Sequence, residues 1–181
     1  MTLRLSKEPL EIPSSVNVQL EHDKLTMSAN QLSLSVPLHS SIKVEIVDGK
    51  AHLTDISKTT KSRAMMGTMA RLMRGMIIGL TQGYTIELEL IGIGYRAKMK
   101  GSNSLELSLL YSHEVVYNLP EGVSASVDGK NQTEIILKSH DKQLVGQVAA
   151  NLIRLRPADA YKGKGVRKKG TVLKLKEVKK K

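Results

Sequence analysis

The chain has 181 residues, of which 40% are hydrophobic and 25% charged, with a net charge of +11 and no cysteine. That is enough material for one domain or two small ones, and it excludes a disulfide framework and any thiolate zinc site. No apolar run approaches the roughly 20 residues of a membrane span, and residues 1–20 lack the apolar core of a secretory signal, so a soluble, non-exported protein is expected.

Residues 8–12 and 16–20 alternate apolar with polar side chains around Pro13, a pattern that predicts short strands. Leu25 to Met27, Leu32 to Val36 and Ile42 to Val47 continue the alternation. Asp48-Gly49 then marks a tight hairpin, because both residues tolerate positive φ, with Ala51-His52-Leu53 as the return strand. From about Thr59 the period changes. Met65, Met69, Leu72, Met76 and Leu80 recur at spacings of three and four, predicting an amphipathic helix over 59–78. With no Phe and no Trp in the chain, its methionines are read as core filler.

The alternation returns over 86–90, 95–99, 105–109, 114–117, 123–127 and 134–137, followed by a second helix over 141–155 with Leu144, Val145, Val148, Ala149 and Leu152 on one face. Val47-Asp48-Gly49-Lys50 reappears eighty positions later as Val127-Asp128-Gly129-Lys130, and Gly67 and Gly146 hold similar places in the two helices. The order of elements and the tetrapeptide keep one register, which predicts a duplication. The expected fold is α+β, with two tandem similar domains, 1–82 and 83–170, each an antiparallel sheet with one helix packed on a face. Residues 171–181 are expected to add a basic strand and a frayed tail, and Gly92 and Gly94 to bend the chain between 90 and 97.

Charge is concentrated at the end. From Arg156 to Lys181, eleven Lys or Arg stand against Asp159 and Glu177, a net +9, which leaves +2 for residues 1–155. A nearly neutral body with a basic end fits a domain anchored on nucleic acid. An acidic membrane would call for an apolar face or a lipidation signal beside the charge, and the tail has neither. The stretch Arg154-Leu-Arg156-Pro-Ala-Asp-Ala-Tyr161-Lys162-Gly163-Lys164-Gly165-Val-Arg167-Lys168 leaves a helix at Pro157 and alternates cations with glycines. Glycines 163 and 165 would let a phosphate reach backbone amides. Lys162, Lys164, Arg167 and Lys168 would supply counter-charge, and Tyr161 a ring or a hydroxyl. Lys142 and Gln143, beginning the second helix after Ser139 or Asp141 as N-cap, are candidates for the same ligand surface.

Other motifs fail on context. Gly92-Ile-Gly94-Tyr-Arg-Ala97 fits a dinucleotide fingerprint, which works only where a helix starts at the glycines, and here a charged strand end follows. The Lys-Gly-Lys-Gly run is no phosphate loop of the G-x-x-x-x-G-K-[ST] kind. The five histidines show no metal-ligand spacing. Ser112-His113, adjacent on a strand, would point to opposite faces and form no nucleophile pair. No catalytic residue, metal, cofactor or small-molecule substrate is expected.

Four ordered blocks carry a resemblance over nearly the whole chain: Leu90-Ile-Gly92-Ile-Gly94-Tyr95-Arg96-Ala97, Tyr111-Ser112-His113, Asp141-Lys142-Gln143-Leu-Val-Gly146, and Arg156-Pro157 with Tyr161-Lys162-Gly163-Lys164-Gly165-Val166-Arg167. The chain resembles the universal large-subunit ribosomal protein six family in its bacterial form. The resemblance implies a structural constituent of the large ribosomal subunit that docks its C-terminal half on large-subunit rRNA. Its place would be near the stalk base and the sarcin–ricin loop, among neighbouring ribosomal proteins and beside transient translational GTPases. By this likeness rRNA contact passes to Tyr161, Lys162, Gly163, Lys164, Gly165 and Arg167, and further to Ser112, His113, Lys142, Gln143, Arg154 and Arg156. The compartment would be a bacterial cytoplasm or, alternatively, a mitochondrion or plastid. The departures are local. A basic start is replaced by Ser6-Lys7-Glu8-Pro9, a Lys-Gly-Pro-Lys-Gly turn by Ser28-Ala29-Asn30-Gln31, and His-Pro by His113-Glu114. The Pro-Glu-Pro before the tyrosine becomes Ala158-Asp159-Ala160, which predicts a less rigid loop. A free-standing RNA-binding regulator or chaperone is the alternative. It would leave large ribosomal particles in a high-salt wash, where a subunit protein stays.

Overall fold

The computed structural model describes residues 9–21, 23–128 and 132–177. Outside them lie the Ser6-Lys7-Glu8 start, the Gly129-Lys130 half of the second repeated turn and the frayed end expected at 179–181. The chain divides between Gly83 and Tyr84 into two compact units.

The first unit contains β1 (Leu10–Glu11), β2 (Asn17–Glu21), β3 (Lys24–Ala29), β4 (Leu32–Pro37), β5 (Ile42–Val47), β6 (Lys50–Asp55) and α1 (Thr60–Thr81). Its strands pair antiparallel in two sheets, ordered β1-β6-β5 and β2-β3-β4. Two of its hairpin turns adopt positive φ: Asn30 at 49° and Gln31 at 68° between β3 and β4, then Asp48 at 51° and Gly49 at 72° between β5 and β6. Helix α1 begins with a capping box. Ser62 N–H donates to the Thr59 hydroxyl, Thr59 N–H donates to Ser62 Oγ, and the pair contributes about 1 kcal/mol. The helix runs three residues beyond the expected Ile78, because the apolar stripe continues to buried Leu80. Met69 and Met73 are fully buried with Leu25 and Met27, so the methionines do fill the core.

The second unit contains β7 (Tyr84–Ile91), β8 (Arg96–Met99), β9 (Ser104–Ser108), β10 (Val115–Asn118), β11 (Val123–Asp128), β12 (Glu134–Ser139), α2 (Lys142–Leu155) and β13 (Gly165–Lys168). Its sheets are ordered β8-β9-β10 and β11-β12-β7-β13. Replacing β1, β6 and β5 by β7, β12 and β11, and β2-β3-β4 by β8-β9-β10, reproduces the first unit's pairing strand for strand. Each unit therefore has two small sheets where a single sheet was expected, because strands two to four of each half pair as a local meander. The core is aliphatic, with Leu88, Leu105, Leu107, Ile135, Leu137 and Leu152 fully buried beneath α2 and between the sheets.

Two C-terminal expectations change. Residues 165–168, read as loop, form β13 on the edge of β7, with Arg167 opposite Glu89. Residues 171–177, whose alternation suggested a strand, contain none. Gly170, at φ 80°, turns the chain off the sheet, and Lys176 N–H donates to the Ala160 carbonyl instead. Among the described residues, no helix is long and apolar enough to cross a membrane.

Candidate nucleic-acid interface

Helix α2 ends at Leu155, and the chain returns as β13 after nine residues. Val166 N–H donates to the Arg156 carbonyl at 2.8 Å and Asp159 N–H to the Lys164 carbonyl at 2.9 Å. Asp159 also accepts Gly163 N–H on its carbonyl and Lys162 N–H on its carboxylate, each at 2.9 Å. Asp159 thus gathers the loop that the loss of flanking prolines was expected to loosen. A Cβ at Gly165, where φ is 148°, would lie 2.6 Å from both the Ala158 Cα and the Pro157 oxygen. The glycine is required because two backbones cross there. The glycines expected to open backbone amides to a phosphate, Gly163 and Gly165, are both buried, and the Gly163 amide, like that of Lys162, is used to close the loop, so the loop presents side chains to a ligand instead.

Lys162, Lys164, Lys168 and Arg154 are exposed, and Tyr161 is 52% exposed. Arg167 is not a free cation. Its Nε donates to Glu89 Oε1 across the β13–β7 pair, with both side chains about a quarter exposed. Lys169 spans Glu134 at 2.9 Å and Glu87 at 3.2 Å, and those hydrogen bonds hold its ammonium above the usual lysine range. The cations of this stretch divide by role: Arg167 and Lys169 fasten β13, while Lys162, Lys164 and Lys168 point to solvent.

Ser112 and His113 lie in the β9–β10 connection, where Leu110 has φ 58°, and not on a strand as expected. The intervening residues make a turn because the two strands are adjacent and antiparallel. The Tyr111 hydroxyl donates to the Leu155 carbonyl at 2.7 Å, satisfying one of the open carbonyls at the end of α2. The Arg156 guanidinium sits 5.1 Å from the Tyr111 ring centre, and the His113 ring lies near-parallel to Tyr111 at 6.4 Å. Arg156, Tyr111 and His113 therefore form one short stack. It borders an open cleft of about 650 Å³ lined by Tyr95, Leu110, Tyr111, Arg156, Lys162 and Lys164.

The fold brings Ser112, His113, Arg156 and the Tyr161–Gly165 loop to one end of α2. Lys142 and Gln143 are at the other end, about 21 Å away along the 14-residue helix. Asp141, not Ser139, is the N-cap, accepting Gln143 N–H at 2.8 Å, and Lys142 Nζ lies 5.7 Å from the Tyr84 ring centre. Tyr111 carries no local sequence signal for its part in the stack. Its role depends on contact with residues 155 and 156, more than forty positions on, which no local pattern reveals. The glycines at 92 and 94 are followed by strand β8, so no helix N-terminus aims at a pyrophosphate. No group of metal-binding side chains exists among the described residues.

The family described as Ribosomal protein L6 matches residues 91–169. The large ribosomal subunit protein uL6 of Neisseria meningitidis serogroup B is 43% identical over 178 residues, spanning 98% of this chain and 99% of the relative. The uL6 protein of Haemophilus influenzae matches with the same identity and coverage, and that of Hahella chejuensis at 40% over the same span. At that identity over nearly the full length of both partners, this chain belongs to the ribosomal protein L6 (uL6) family.

Proposed function

We propose that this chain is a structural, non-catalytic constituent of a bacterial-type large ribosomal subunit, binding large-subunit rRNA through the end of α2 that carries the basic loop. One observation carries the reading: Lys162 and Lys164 share a cleft with Arg156 and Tyr111, with the His113 ring beside Tyr111, on a loop whose shape is fixed by its own backbone. A polyanion gains from such a site, because the lysines need no reordering of the loop and the stacked rings and guanidinium offer flat faces to sugar or base. Tyr161, Arg154 and Ser112 are further contacts on this reading, Gly163 and Gly165 give the loop its shape, and Lys168 offers its charge from a separate shallow cleft beside Thr85 and Glu87. Arg167 acts by fastening β13 to Glu89. Lys142 and Gln143 form a separate contact at the far end of α2.

In the assembled subunit the reading places this surface near the stalk base and the sarcin–ricin loop, with neighbouring ribosomal proteins and transiently docked translational GTPases around it. The particle would be that of a bacterial cytoplasm or of an organelle descended from one. The test is Lys162→Gln/Lys164→Gln in the full chain. Binding to large-subunit rRNA should weaken, and the slope of log K against log salt should fall by roughly 1.4–1.8, about 0.7–0.9 per lost phosphate contact. The unaltered chain should also remain with large ribosomal particles through a high-salt wash. An unchanged slope, or release into the supernatant, would overturn the reading.

A further inference from the structure

The first unit looks nearly neutral only because opposite charges are separated within it. From Leu10 to Asp55 the chain carries Glu11, Glu21, Asp23, Glu45, Asp48 and Asp55 against Lys24, Lys43 and Lys50. From Ile56 to Ile86 it carries Lys58, Lys61, Arg63, Arg71 and Arg74 and no carboxylate at all. The strands are net acidic, and α1 with its approach is purely cationic.

The placement on α1 is just as uneven. At 3.6 residues per turn, Arg63, Arg74 and Arg71 fall within an arc of about 80° on the side away from buried Met69 and Met73, spread over about 16 Å of helix. All three are exposed. Gly67 lies one turn from both Arg63 and Arg71, and a Cβ there would meet nothing within 4 Å, so the helix backbone is open between two guanidinium groups. No ion pair among the described residues involves Lys58, Lys61, Arg63, Arg71 or Arg74. Asp55, at the end of β6, accepts the N–H groups of Ser57 and Lys58 on the approach to the helix.

Folding accounts for only part of this charge: after the Ser62 hydroxyl, Arg63 helps hold the nearby Asp55 carboxyl below its ordinary value, whereas Lys61, Arg71 and Arg74 make no ion pair among the described residues. The first turn of α1 holds no acid and the last turn no base, so the charges oppose the helix macrodipole, which favours anions at the N-terminus and cations at the C-terminus. A helix that places Lys61 and Arg63 at its positive end concentrates positive potential there at some cost to its own stability. An external polyanion offsets that cost.

We infer that the outer face of α1 is a second RNA-binding surface, separate from the loop at the end of α2, and that its ligand is the phosphate backbone of double-helical RNA. Guanidinium groups match phosphate oxygens with paired donors, and three on one rigid, side-chain-poor face suit a duplex recognised by shape and phosphates and not by base edges. The choice of RNA over an acidic protein rests on the proposed ribosomal function.

The experiment uses the full chain, an RNA duplex of about 20 base pairs as probe, and titrations between roughly 50 and 200 mM salt. Arg63→Gln/Arg71→Gln/Arg74→Gln should lower the slope of log K against log salt by roughly 2–3, while the corresponding Arg→Lys triple keeps it. Lys162→Gln/Lys164→Gln should lower it independently, and the combined variant should show both reductions. If circular dichroism shows the triple Gln variant unfolded, Arg71→Gln/Arg74→Gln, away from the capping box, should lower the slope by roughly 1.5. A folded α1 variant with unchanged slope overturns the inference and leaves the loop reading standing, whereas an unchanged loop variant with a weakened α1 variant does the reverse. Binding of polyglutamate as tight as that of the duplex, lost in the same α1 variants, would also overturn it, in favour of an acidic protein partner.

Discussion

In the first unit β1 contributes two residues to its sheet; in the second the corresponding β7 contributes eight and carries β13 on its other side. The rest of the pairing order is the same. The pairing shared by both halves builds a scaffold of two small sheets and one helix, and the second half adds a strand and a loop at one edge of it. That addition holds the exposed lysines and Arg156, and it closes the cleft against Tyr111 of the β9–β10 connection. The first half has no such edge and presents its cations on the back of its helix instead. One architecture therefore offers charge in two ways, on a closed loop and on an open helix face.

The comparison breaks most sharply at Gly165. Its Cβ would collide with backbone atoms at 2.6 Å, so Gly165→Ala should destabilise the second unit by about 3 kcal/mol and abolish the cleft. Urea unfolding followed by hydrogen exchange on β13 amides would show it; a loss below about 0.5 kcal/mol would mean the crossing relaxes at no cost. Tyr111→Phe removes the hydroxyl that closes the end of α2 and should cost about 1 kcal/mol, measured by the same unfolding, with weaker rRNA binding. Gly67→Ala, at a helical site with open space, should instead stabilise the first unit by roughly 0.5–1 kcal/mol.

The smallest expected effect separates the units by sign. The Ser62 hydroxyl, then the Lys58 and Ser57 amides and the Arg63 charge, hold the Asp55 carboxyl below its ordinary 3.8. Its stabilisation is present above that value and is lost as pH falls through the lowered folded value. Glu114, hydrogen-bonded to Glu106 and repelled by it, is held above its ordinary 4.5. Its contribution is fully present below 4.5 and is lost as pH rises through the raised folded value. Acid titration followed by unit-specific NMR signals should therefore weaken the first unit as these groups protonate and slightly favour the second, with Asp55→Asn and Glu114→Gln each flattening its own branch.

Period-two alternation located the strands before β13, and the Asp48-Gly49 pair predicted its hairpin, because both signals are local. Strand β13 was hidden. Gly-Val-Arg-Lys has a single apolar residue facing the core, and the Glu89 that neutralises Arg167 is 78 positions away. The stretch 171–177 misled for the opposite reason: Val172, Leu173 and Leu175 alternate with lysines, yet no sheet edge receives them and Val172 is 91% exposed. The basic loop was recognisable by composition, but its hydrogen bonding was not. Glycine signals that a backbone does something unusual, and only the fold tells whether it approaches a ligand or, as at Gly165, another stretch of its own chain.

The long reach from β7 to β13 also sets a timetable. A ribosome synthesising this chain finishes residues 84–91 well before their last neighbour exists, and pairing across so wide a sequence interval is slow to close. The first unit is complete and its helix exposed while the second still lacks an edge. Competence at the loop therefore waits for residues 165–168, and a product truncated before them would lack the strand that closes it.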